Sequence, residues 1–162
     1  MKIQFVAALL CLLTAACRQF PTAEELAPKS LPLPAAHTRY TQGDLKKLNW
    51  LSGFWQNAAG ERKIRQGFLF HGDKTLEVMD LDGNSGTASF QLVWHDGRFY
   101  FGENREWVVT WIGEKDIRFD PTRPGKMPMT WTRHNENQWY QVRHTPRGDQ
   151  ALLMQRMEDM QP

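Results

Sequence analysis

From Ser52 onwards the apolar residues of this chain stand at every second position, and turn-forming residues interrupt them about every ten. Phe68/Phe70, Phe90/Leu92/Trp94, Phe99/Phe101, Trp107/Val109/Trp111, Ile117/Phe119, Met129/Trp131 and Tyr140/Val142 are such alternating runs. A period of two marks strands that bury one face. The interruptions fall at Asn57–Gly60, His71–Asp73, Asp82–Gly86, Asp96-Gly97, Glu103–Arg105, Gly113–Asp116, Pro121–Pro128, His134–Asn137 and Pro146–Asp149. Asp96-Gly97 between two aromatic runs predicts a tight hairpin, because both central positions of the favoured turn need positive φ. The pattern predicts an all-β chain of roughly eight to ten short antiparallel strands in sequential order. Such a meander must close or sandwich to hide its edges. No internal repeat supports a propeller or a solenoid.

The 162 residues suit one folded domain. With 20 Lys+Arg against 18 Asp+Glu, the charge balance is too even to hold nucleic acid through a field, and no nucleic-acid partner is expected. Before the strands, Thr41 or Asp44 can cap a short helix whose Leu45, Leu48 and Leu51 share one face. Residues 18–40 hold four of the nine prolines and none of the twelve glycines. That stretch favours extended conformations and reads as a tether able to reach several tens of ångströms at ~3.1 Å per residue.

The first residues are an address. Lys2, an apolar stretch from Phe5 to Leu13 and a small-residue end at Thr14-Ala15-Ala16 make a secretory signal, too short to span a bilayer. Only two cysteines occur, and Cys11 lies within the segment to be removed, so Cys17 has no partner in the mature chain. The Ala15-Ala16-Cys17 ending resembles the lipobox of bacterial lipoproteins, although Thr14 stands where the strongest examples carry Leu. That resemblance implies that residues 1–16 are cleaved and that Cys17 carries a lipid anchor. With Arg18 rather than Asp after the cysteine, it also implies an outer-membrane location facing the periplasm. The implied organisation is a signal peptide (1–16), a lipidated Cys and Pro-rich linker (17–40), a barrel domain (41–158) and a tail (159–162).

Gly53-Phe54-Trp55, directly after the short helix, resembles the opening signature of lipocalin-like (calycin) barrels. More narrowly, Pro128-Met129-Thr130-Trp131-Thr132-Arg133 is similar to a late strand of small bacterial lipocalin-like proteins. The segment Phe119–Gly125 departs from the acidic-aromatic sequence of that group. The resemblance implies a small closed barrel plugged by the helix, with Gly53, Trp55 and Arg156 closing its base and Arg156 packed across the Trp55 indole. It also implies non-catalytic binding of a small apolar or amphipathic ligand.

Tests for other chemistry return little. The five histidines (His37, His71, His95, His134, His144) lack the spacing of a preassembled metal site, so neither a metal nor a cofactor is expected. His144, on the parity of Tyr140 and Val142, is the one candidate for a haem-ligating histidine. No nucleophile elbow, paired carboxylate site or phosphate loop is present, and no catalytic residue is assigned.

The aromatics carry what remains. Side chains of one parity line one face, so that face is strongly apolar. Two readings stay open: an interior filled by side chains, or a partly open cavity for an apolar ligand. On the second, Phe68, Phe70, Phe90, Trp94, Phe99, Phe101, Trp111 and Trp131 are the candidate lining. Trp107, Trp111, Trp131 and Trp139 cannot all point into a small barrel. Those left outside would serve the alternative function, a lipoprotein that binds a protein partner as an assembly factor or enzyme inhibitor. The oligomeric state is not encoded in any pattern found here.

Overall fold

The computed structural model describes residues 39–60, 62–82 and 88–158. The leader, Cys17, the linker up to residue 38 and the tail 159–162 therefore lie outside the described residues. Ten strands follow in chain order: β1 (Gly53–Asn57), β2 (Arg65–His71), β3 (Thr75–Asp80), β4 (Ala88–His95) and β5 (Arg98–Phe101) come first. They continue with β6 (Trp107–Ile112), β7 (Asp116–Pro121), β8 (Met129–Asn135), β9 (Gln138–Thr145) and β10 (Gly148–Arg156). Each pairs antiparallel with its sequence neighbour, and β1 pairs with β10, so the meander closes into a barrel. Closure satisfies both edges, with Trp55 opposite Arg156 and Asn57 opposite Met154. At the β4–β5 turn Asp96 and Gly97 both have positive φ, 49° and 81°, as the hairpin signal requires.

A 3-10 helix, Gln42–Leu51, covers one end of the barrel. Three residues per turn place Leu45, Leu48 and Leu51 on one line, and all three are fully buried. Asp44 fastens the helix start by accepting from the Thr41 backbone N–H (2.8 Å) and hydroxyl (2.9 Å). The chain just before it is pinned to the β4–β5 turn, where the Tyr40 N–H donates to the Gly97 carbonyl at 2.8 Å. Lys46 reaches Asp73 in the β2–β3 turn at 3.2 Å.

Above the helix, side chains fill the interior. The Trp139 ring meets Trp50, Trp55, Phe68 and Trp131 at centroid separations of 5.6–6.4 Å, three edge-on and one tilted, as aromatic quadrupoles prefer.

Two readings of strand parity need correction. Trp107/Val109/Trp111 is not one alternating run, because a β-bulge between Val109 and Trp111 shifts the register against β7. Ile112 then pairs with buried Ile117, while Trp111 pairs with Arg118 and turns to the outer face. There its indole N–H donates to Asp116 at 2.7 Å. In β9 the inward parity is Trp139, Gln141 and Arg143, since Gln141 stands opposite buried Trp131. Tyr140, Val142 and His144 therefore belong to the outer face, which removes His144 as an interior ligand for haem.

Candidate functional site

Ten strands make a wider barrel than the eight that side chains readily fill, and here the filling stops part-way up. At the end away from the helix lies a half-open cup of about 500 Å³. Phe101 and Trp131 belong to its apolar wall, together with Val78, Phe90, Trp107, Met127 and Met129. Gln66, Gln141, Arg143, Glu103, Glu106 and Lys126 are its polar members.

Of the eight aromatics expected as lining, only Phe90, Phe101 and Trp131 border this cup. Phe68 lies beneath it, in ring contact with Trp131 at 5.7 Å and Trp139 at 5.6 Å. Phe99 is fully buried near the helix end, beside Tyr40 at 6.2 Å. Phe70 and Trp94 pack against the same core, and the Trp94 indole donates to the Tyr40 carbonyl at 3.1 Å. Trp111 is outside the barrel. Strand parity alone cannot separate these residues, because it reports face and not height along the axis. Gln141 and Arg143 escape a reading that gives β9 the parity of Tyr140 and Val142, and aligning Trp139 with Trp131 as one face exposes both; Glu103, Glu106 and Lys126 lie between strands, where alternation carries no signal.

The closed base is built around Arg156. Its guanidinium lies 4.2 Å from the centroid of the Trp55 ring and donates to the carbonyls of Ser52 (2.9 Å) and Trp50 (3.3 Å). Those carbonyls end the helix, where partial negative charge gathers and a cation is favourable. The Trp55 indole donates to Leu51 at 2.7 Å.

At the mouth, the β7–β8 loop is strapped to the start of β6. Glu106 accepts from Arg123 (2.6 Å) and Lys126 (2.9 Å). Lys126 also sits 5.0 Å from the centre of the Trp107 ring, whose indole donates to the Met127 carbonyl at 3.0 Å. The Lys126 and Arg123 bonds hold the Glu106 carboxyl below its ordinary range, against the opposing pull of burial. A folded-state pKa below the unfolded one means that the latch contributes above the unfolded value, ~4.3, and fails as pH falls through the folded one. Backbone hydrogen exchange over residues 121–128 should therefore be faster at pH 3 than at pH 6, after correction for intrinsic rates. Glu106→Gln should speed it at pH 6. Equal protection in wild type and Glu106→Gln at pH 6 would show that the carboxylate does not hold the strap.

A second polar chain lies on the outer face. Thr130 Oγ1 is 2.9 Å from His144 Nε2, and His144 Nδ1 is 3.0 Å from Asp149. The order resembles nucleophile, base and orienting acid, but Thr130 is completely buried and no substrate can reach it. The chain ties β8, β9 and β10 together. Among the described residues no three His, Cys, Asp or Glu side chains gather as metal ligands would. No family model matches the chain, and no curated protein matches it.

Proposed function

We propose that this protein is an envelope lipoprotein, anchored through Cys17 to the outer membrane, whose barrel binds a small apolar or amphipathic molecule in the cup without transforming it. The observation that carries the binding reading is the cup itself, whose volume lies within the ~300–1,000 Å³ of small-molecule sites. Its described lining holds no hydroxyl, thiol or imidazole, and of its carboxylates Glu106 is engaged by Arg123 and Lys126, which supports binding rather than turnover. Among the described residues, the two large apolar side chains left most exposed, Phe90 (39%) and Met127 (40%), both belong to the cup. An external protein-binding patch would instead gather such residues on the outer face, where Trp111 is only half-exposed and hydrogen-bonded.

Two measurements test this. Native mass spectrometry of the protein purified from its own host envelope should show a small mass that denaturation removes. N-phenyl-1-naphthylamine should brighten on binding, and Trp131→Ala should weaken it at least tenfold while Trp111→Ala leaves it unchanged. A clean apo mass together with no probe binding would remove the carrier reading. The anchor is tested separately, because Cys17→Ser should shift the protein from the membrane to the soluble fraction.

A further inference from the structure

The cup has a chemical polarity that its apolar wall does not explain. Arg143 lies on the inward parity of β9, opposite Met129 on β8 and Gln150 on β10, one inward position nearer the mouth than Gln141 and Trp131. Its guanidinium has no hydrogen-bond or ion-pair partner among the described residues, and it lines the cup. The side-chain amides of Gln66 and Gln141 are likewise unpartnered among the described residues. A guanidinium offers donors and no acceptor. Arg143 is exposed, so water meets its donors in the open cup, and an anion that replaces that water beside the apolar wall gains a charge-assisted pair.

The carboxylates of the cup do not pair with Arg143. Glu106 is taken by Arg123 and Lys126. Glu103 stands in the β5–β6 loop, whose nearer strand β6 is three strands from β9, and it makes no ion pair with Arg143 among the described residues. Arg143 therefore lines the cup as an exposed cation with no ion pair among the described residues.

We infer that the cup recognises an anionic amphiphile: one short apolar chain against Phe101, Met129 and Trp131, with a single carboxylate-like head held by Arg143. The inference rests on the binding reading above and adds the head-group chemistry. A guanidinium can take two oxygens of such a head in parallel, a geometry that neither an ester nor an alcohol can complete.

The test compares 11-(dansylamino)undecanoic acid with its methyl ester on the purified full-length protein. The acid should bind at least tenfold more tightly than the ester, and added salt should narrow the gap. Arg143→Gln should bring the acid down to the level of the ester, and Arg143→Lys should restore part of the difference. Arg147→Gln removes the same charge from the β9–β10 turn outside the cup lining, and should keep the preference intact. Equal affinities for acid and ester, or a preference that survives Arg143→Gln, would overturn the assignment while leaving the cup reading standing. Binding of neither probe would overturn both.

Discussion

Trp139→Ala should cost about 4 kcal/mol, the range for removing a fully buried indole from a packed core. For a domain of this size that is a melting-point drop of roughly 15 °C, and a large share of the ~5–15 kcal/mol that keeps a typical domain folded. The reason is position. Trp139 is completely buried, and its ring touches those of Trp50, Trp55, Phe68 and Trp131, so it joins the plug helix, the first strand and the cup floor. Around so rigid a set of rings, collapse into the vacated space is difficult, and the cavity term stays nearly whole. Trp111→Ala provides the contrast. That ring is on the outer face with its N–H bound to Asp116, and its loss should cost about 1 kcal/mol. Chemical denaturation of both variants checks the pair. Comparable losses would mean that the bulge in β6 does not turn Trp111 outward.

This contrast also marks how far the sequence could be read. Nine turn signals separate ten strands, and the three-residue spacing of Leu45, Leu48 and Leu51 suits a 3-10 helix. The Asp96-Gly97 hairpin follows from the backbone freedom its turn demands. The sequential antiparallel order, a count of eight to ten strands and the need to hide both edges were therefore legible. Two things were not. The bulge after Val109 has no local signature, since Trp107, Val109 and Trp111 make a regular alternation on paper. In β9 both faces are apolar, Trp139 on one and Tyr140 with Val142 on the other, so alternation selects neither. Register resolves the choice only once β8 and β10 are in place, because burial on one face depends on which partner stands opposite. The cup inherits that difficulty: Gln141 and Arg143 sit on the face of β9 that alternation does not select, and its height in the barrel is a property of register alone.

Arg156→Ala should cost about 3 kcal/mol, from the lost stacking on Trp55 together with two helix-end carbonyls left without their donor. Arg156→Lys should recover about a third, because an ammonium cannot fork to the Ser52 and Trp50 carbonyls while lying flat on an indole. Gly53 makes the role separable from simple loss of bulk. Its φ is +109°, and a Cβ there would stand 2.9 Å from Arg156 Nη1, so Gly53→Ala suffers both backbone strain and a clash with the guanidinium. In the Arg156→Ala background the clash vanishes and only the strain remains. The double variant should therefore be less destabilised than the sum of the singles, by about 1 kcal/mol in a double-mutant cycle. Strict additivity would mean that the guanidinium yields freely and that Gly53 is required by its backbone alone. A coupling of the expected sign would show that the Arg156 head group is held in place, and that the barrel base is a fitted joint between the first strand and the last.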